Sequence, residues 1–475
     1  MTLRWFSVTR NDIPPEDLVH IIQKLSLPKH TFLDIRVEQD TKIEYKLKYD
    51  GTKSTLLSEF LGQESAVASR LITPTTRYFY SNSFPRNLDS VLARMASNAR
   101  KKTQSISSDS PPLGIAPDKI TQGSYDFYNY EPDPSDVKLA GTKILSSLRA
   151  RFPQATSIVS MSFLNRDISY ASSEESFFSK IEPIWMCIFQ LKFENRVVVH
   201  RIGWSGRPQE FPDESFDAYL AWLEEFLSLP VLKERYFAPS TPLLFSPDAT
   251  WTVVHEGLGH PSEADLILSG KSYLAGALGR KITSPLITVV DDPAIQSASY
   301  YLVDDEGVKS RGSLIVDDGI FTQYLNGRET AYELGMISSG NARAPSAKHD
   351  LYVRQSNLYI EPRDASYQDL TENFSGLLIG DSVSSVTDAI NGIIQAIFSF
   401  GISFENGEPM GWIKSPFLQG RVRDLFESVS LIGSWVEPAA GYCYKNGAQV
   451  PVGSISPFMR LEPTSVFLRS GSNAS

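Results

Sequence analysis

Apolar and polar residues alternate through positions 31–49 (TFLDIRVEQDTKIEYKLKY), the period-two signature of strands with one face buried. Gln39-Asp40 near the middle suggests a corner between two half-buried antiparallel strands. Residues 87–101 instead space Leu88, Val91, Leu92 and Met95 at helical intervals, with Lys and Arg gathered near the end where the helix dipole favours them. The following stretch, 101–119, is rich in Ser, Pro and Asp, has little apolar surface to bury and reads as an exposed loop. A second helix is predicted over 135–152, opening with Asp136 and carrying Val137, Leu139, Ile144 and Leu148. Strand-like alternation returns over 157–168 and 185–199.

Prolines cluster at Pro230 and at Pro239 and Pro242, which places a domain boundary between Leu227 and Pro242. Beyond it, Asp317-Asp318-Gly319 separates SLIV from IFTQYL, and Asp304-Asp305-Glu306-Gly307 follows YYLV, both as expected of hairpin corners. No repeat of 20–50 residues is present, which argues against a solenoid or propeller. The expected fold class is α+β: an N-terminal domain, 1–230, with an antiparallel sheet and helices, and a strand-rich antiparallel C-terminal domain, 231–475, carrying one helix of special interest.

Composition narrows the function classes. The 475 residues exceed one ordinary domain, so neither half needs disulfide staples. Lys and Arg number 45 against 55 Asp and Glu, a net charge of -10, and no basic run would track a phosphate backbone. Nucleic acid is therefore not the expected partner. The N-terminal MTLRWFSVTRNDIPPEDL breaks with acids and prolines the apolar core a signal peptide needs, and the longest apolar stretch, 393–404, falls short of the ~20 residues of a membrane helix. A cytoplasmic protein without a membrane span is the expectation. Cys187 and Cys443 cannot form a disulfide framework in so long a chain. Cys187, within IWMCIFQ, reads as core, whereas Cys443 stays open as a ligand.

The chemistry concentrates after Ser246-Pro247-Asp248, a helix start with Ser as N-cap, Pro at the first helical position and Asp in the first turn. On that helix stands His255-Glu256-x-x-x-His260, two imidazoles and a carboxylate in a chain with six histidines. The spacing is one residue longer than the zinc-peptidase HExxH, and positions i and i+5 diverge by ~140° on a regular α-helix. A π-bulge or broken turn would bring them together, so a distorted helix is predicted at 257–261, where Gly257 and Gly259 loosen the backbone and Pro261 biases His260 away from helix. A catalytic zinc wants a third protein donor. Glu263, Asp265, His349 and Cys443 all qualify. Cys443 is preferred by a small margin, because Gly441 and the Lys445-Asn446-Gly447 turn allow close approach and a thiolate suits zinc.

At these residues the chain resembles the TldD/PmbA family of peptidases, specifically its TldD-type, metal-bearing branch. The likeness rests on HEGLGHPSEAD, YYLVDDEG, GSLIVDDGIFTQYL, AYELG with SGNAR, and GYCYKNGAQVPVG, all in the C-terminal half, with RYFYSNS a vaguer N-terminal match. The resemblance implies that His255, His260 and Cys443 bind zinc and that Glu256 is the catalytic base. It also implies hydrolysis of peptides or unfolded protein segments, in a homodimer or in a heterodimer with a metal-free paralogue lacking HExxxH. Two departures stand out: Pro261-Ser262 follow the second histidine where the family often has Gly, and Ala344 follows SGNAR where a second Arg is frequent.

Around this centre Glu263 is expected to hold a ligating histidine, and Asn341 and Arg343 to contact substrate backbone. Asp304, Asp305, Asp317 and Asp318 lack the spacing of a calcium loop and are explained by turns, and His349 reads as a loop histidine. The expected function is zinc-dependent peptide hydrolysis with Glu256 activating the water. The competing reading is a non-catalytic peptide-binding or regulatory subunit with a structural zinc, which a fourth protein ligand on the metal would favour.

Overall fold

The computed structural model describes residues 14–25, 27, 31–73, 76–83, 123–126, 133–233, 237–238 and 240–470, with single positions 93, 94, 97 and 101. The helix expected over 87–101 and the loop over 101–119 lie outside these residues apart from the four single positions. The chain is α+β.

The N-terminal half comprises α1 (Pro15–Gln23), β1 (Phe32–Tyr49), β2 (Ser54–Thr73), β3 (Thr76–Ser83), β4 (Gly123–Asp126), α2 (Pro134–Arg151), β5 (Thr156–Ser172), β6 (Phe177–Phe193), β7 (Arg196–Ser205) and α3 (Asp213–Leu227). The strands form one sheet in the order β3-β2-β1-β5-β6-β4, with β7 also pairing β6 and only the β4/β6 pair parallel. Helix α2 starts where Asp133 caps it, its carboxylate accepting the Ser135 N–H at 2.8 Å. Its buried residues Val137, Ile144, Leu145 and Leu148 pack on Ile43, Tyr45 and Leu47 of β1 and on Val159, Met161 and Phe163 of β5. Cys187 lies in the same core, where burial pushes its thiol up to about 12.

One expectation fails here. Residues 31–49 are not two strands with a corner at Gln39-Asp40 but the single 18-residue strand β1, in which Gln39 and Asp40 pair with Ser65 and Glu64 of β2. The odd-numbered positions remain apolar in one phase along most of its length, and the expected polar, solvent-facing side is itself buried at Asp34, Arg36, Glu38 and Asp40, while Lys46 further along is exposed. Asp34, Arg36 and Glu38 lie under the C-terminal half in an ion network. Arg166 binds Glu38 at 2.8 Å, Glu182 at 2.7 Å and Asp305 at 3.2 Å; Lys180 reaches Asp305 at 2.6 Å; Arg70 bridges Asp34 and Glu306. Desolvation opposes these charges, and their mutual attraction outweighs it: Asp305 is held well below the usual carboxylate range by Arg166 and Lys180. Arg166→Met would leave three buried carboxylates short of a counter-charge. We expect a loss of about 3–5 kcal/mol of stability, read as a lower urea midpoint.

The stretch expected to alternate over 185–199 is also two strands, β6 and β7, turning at Glu194, which takes a left-handed conformation. The hairpin corners are as expected: Asp317 pairs with Ile320 across Asp318-Gly319, both at positive φ, and Asp304 closes its turn by accepting the N–H groups of Glu306 and Val308.

In the C-terminal half β8 (Leu243–Phe245) lies within a six-stranded sheet, between the strands Gly376–Ile379 and Ala448–Leu461; beyond the latter, Val429–Lys445 forms the sheet's end. A four-stranded sheet runs Ser382–Asp388, Ile393–Phe398, Pro416–Arg421, Val466–Ser470. Pairing is antiparallel in both except between β8 and Gly376–Ile379. Both sheets feed one core, in which Leu377, Ile379 and Met459 meet Ile394, Phe398 and Leu418. The helix α4 (Pro247–Val254), buried along its entire length, contributes Val253 and Val254 to it. Helix α3 joins the halves, since its Trp222 packs on Phe400 and Phe458 of the C-terminal strands. The apolar stretch 393–404 is two of these strands, and no helix among the described residues is long and apolar enough to cross a membrane.

Candidate metal centre

Ser246 caps α4 by accepting the Ala249 N–H at 3.3 Å, with Pro247 at the first helical position. After Val254 the helix widens into a π turn, His255–Gly259, closed by the His260 N–H on the His255 carbonyl. This i→i+5 bond brings the two histidines together on one side of the helix, with their rings 4.9 Å apart and edge-to-face at 84°. The distortion expected from the extra residue is thus present. Neither a loosened backbone at Gly259 nor a bias of His260 away from helix produces it, because Gly259 (φ -63, ψ -64) and His260 (φ -56, ψ -46) both keep ordinary helical angles. Gly259 is needed for space: a Cβ there would lie 1.9 Å from the Gln355 side chain, and one on Gly257 would lie 2.9 Å from Phe426. The helix ends at Glu263, whose extended backbone follows Pro261-Ser262.

The opposing wall is the end of the strand Val429–Lys445, which turns at Asn446-Gly447, both at positive φ, and pairs Lys445 with Ala448. Gly441 lets it lie against α4, since a Cβ would meet the Trp251 ring at 2.9 Å. Cys443 then reaches the helix, its Sγ 3.3 Å from His260 Nε2. One donor atom each from His255, His260 and Cys443 lie within 4.8 Å of one another, all three residues buried. Among the described residues this is the one cluster of three or more such donors. A tetrahedral zinc with ~2.0–2.3 Å bonds needs donors ~3.3–3.8 Å apart, so the set is the right size after small adjustments.

The electrostatics fit a metal as well. Burial raises the Cys443 thiol, but the imidazoles of His260 and His255 outweigh burial and bring it down to about 5, giving a thiolate at neutral pH. Glu263, fully buried, is desolvated too, yet Lys445 and His260 hold it down at about 2. An ionised Glu263 can only accept, so His260 Nδ1, 3.2 Å away, must donate to it, which leaves Nε2, beside Cys443, as the nitrogen that could take a metal. His255 Nδ1 is buried without a hydrogen-bond partner, an arrangement costly for an imidazole that binds nothing.

Glu256, between the histidines, has Oε1 bound by the Ser385 hydroxyl at 2.9 Å. It faces a pocket of about 890 Å³, lined also by Trp251, His255, His260, Cys443 and the segment 382–390. Of the other third-donor candidates, Glu263 and Asp265 share Lys445, at 2.7 and 2.8 Å, and His349 lies in a loop with Ser346. Asn341 and Arg343 do not reach the pocket. Asn341 is turned inward to Asp291 and the Arg354 carbonyl, at 2.8 and 3.1 Å, and Arg343 binds the carbonyls of Gln355 and Pro451 at 2.8 and 2.9 Å. Both are buried, with their hydrogen bonds spent on bracing the walls.

Residues 239–467 match the PmbA/TldA metallopeptidase C-terminal domain. The chain's C-terminal half carries the domain of the TldD/PmbA family. Among relatives of this family, a metalloprotease of Methanothermobacter thermautotrophicus is 38% identical over 220 residues, 46% of this chain and 48% of that protein. A zinc metalloprotease TldD homolog of Saccharolobus solfataricus is 29% identical over 228 residues, 47% of this chain and 51% of its own. The chain spans about half the length of the curated relatives it matches. The crystal structure of TldE from Thermococcus kodakarensis shares the fold at a TM-score of 0.69 with 17% identity, over 95% of this chain and 99% of that one.

Several residues around this centre gave no sign in the sequence of the role they take. Arg354 donates to the carbonyls of Cys443, Lys445 and Ala448 and so fixes the hairpin tip. Gln355 donates to the His255 carbonyl at 3.3 Å, and Lys445 ties the cysteine strand to Glu263. Each is an ordinary polar residue until the fold supplies its acceptor.

Proposed function

We propose that this chain is a zinc-dependent peptidase of the TldD type, with His255, His260 and Cys443 as ligands and Glu256 as general base. The observation that carries the reading is the buried three-donor cluster with a carboxylate beside it in the same π turn, facing a pocket. Zinc, when bound, supplies a Lewis acid that polarises the scissile carbonyl and acidifies water. Glu256 takes the proton of the attacking water and returns it to the leaving amine. One of its oxygens is held by Ser385, which leaves the other for this exchange. Glu263 keeps His260 in the tautomer that presents Nε2 to the metal.

The strand Ser382–Asp388 ends its sheet, and its outer edge over Ser384–Asp388 meets no other strand among the described residues. It supports substrate binding by strand addition, in which backbone hydrogen bonds carry the affinity and unfolded segments are favoured. We further propose a homodimer or a heterodimer with a metal-free paralogue, whose enclosure of the pocket would admit extended chains. Three donors rather than four among the described residues favour a catalytic over a purely structural zinc.

Degradation of an unfolded protein by the purified chain is expected to stop when a chelator removes the metal and to return with added zinc. Degradation that survives metal removal would refute the mechanism. A zinc-loaded protein that binds unfolded chains but cleaves none would favour the regulatory-subunit reading.

A further inference from the structure

Among the described residues, the side chain that hydrogen-bonds Glu256 is the hydroxyl of Ser385. Ser385 sits on the pocket-facing edge strand, pairs through its backbone with Ala396, and uses its side chain on Glu256. The strand is fastened to the same helix at a second point. Asp248, in the first turn of α4, accepts the Ser382 N–H at 2.6 Å, and Arg201 of β7 clamps the carbonyls of Ser382 and Val383 at 2.7 and 2.8 Å. The strand is thus pinned at the start of the helix, with Ser385 left to meet the π turn three residues on.

We propose that Ser385 is a positioning residue for Glu256, a role that rests on the peptidase reading above. Fixing one carboxylate oxygen removes rotation about the last side-chain bond, so that the other oxygen stays aimed at the water rather than sampling the pocket. The pinned strand sets the depth from which the hydroxyl donates. Because the same strand offers its open edge to substrate, the element that would seat the peptide also aligns the base.

The test uses the full-length, zinc-loaded protein with the variants Ser385→Ala and Ser385→Thr, beside Glu256→Gln. Ser385→Ala is expected to keep its zinc and its KM while kcat falls about 10- to 100-fold, a smaller loss than the ~10²–10⁴-fold expected on removing the base itself. Ser385→Thr keeps the hydroxyl, suits a strand, and is expected to restore most of kcat. A Ser385→Ala enzyme with parental kcat, or a loss that threonine does not rescue, overturns the inference while leaving Glu256 as base if Glu256→Gln is inactive. If the parent hydrolyses no peptide, the peptidase reading fails and this inference falls with it.

Discussion

Glu256→Gln is expected to retain zinc at the parental level while peptide hydrolysis falls about 10²–10⁴-fold. The substitution is nearly isosteric and its amide oxygen still accepts from Ser385, so the π turn and the three donors keep their places. What disappears is the ability to take a proton from water. Metal content measured by atomic absorption, together with steady-state hydrolysis, separates the two properties. Loss of zinc along with activity would make Glu256 a ligand or a support for one. Full activity in the variant would give the proton transfer to another group and return the chain to the binding-subunit reading.

Cys443→Ala is expected to abolish stoichiometric zinc and, with it, all metal-dependent hydrolysis. The side chain packs among Trp251, Ala439, Val450 and Val452, where losing one sulfur atom costs about 1 kcal/mol, within what a domain of this size tolerates. Only the metal site should therefore fail. Removing the thiolate leaves two imidazoles where a catalytic zinc wants three protein donors, so the remaining pair of histidines holds metal poorly. Cys187→Ala serves as the control, because that thiol lies in the N-terminal core and should keep zinc at the parental level. Parental zinc in Cys443→Ala would overturn the ligand set.

Local signals in this sequence were strong where local geometry suffices. Ser246-Pro247 gives a capped helix start because the cap needs only neighbouring N–H groups, and Asp318-Gly319 turns because few residue pairs tolerate two positive φ values. The extra residue between His255 and His260 called for a distorted helix, since on a regular one the rings diverge. The α+β class followed from the periods of the apolar residues.

Other features were decided by groups far apart in the chain. The polar face of β1 reads as solvent-facing from its pattern, yet Asp34, Arg36 and Glu38 are buried, because the C-terminal half brings Asp305 and Glu306, with Arg70 and Arg166 of neighbouring strands, to meet them. Periodicity reports which face differs, not what covers it. The same limit applied at the site. Asn341 and Arg343 are polar residues in a turn-like motif and so invite a substrate role, but their acceptors at Asp291, Gln355 and Pro451 turn them inward. Ser385 carries no motif, and Lys445 reads only as part of a turn; both acquire their partners only when the edge strand and the hairpin tip arrive beside Glu256 and Glu263. The sequence by itself determined which groups can do the chemistry, because donor type and spacing are written in it. The tertiary structure alone decided which of them meet, because a hydrogen bond or metal site between residues more than a hundred positions apart depends on the packing of whole sheets.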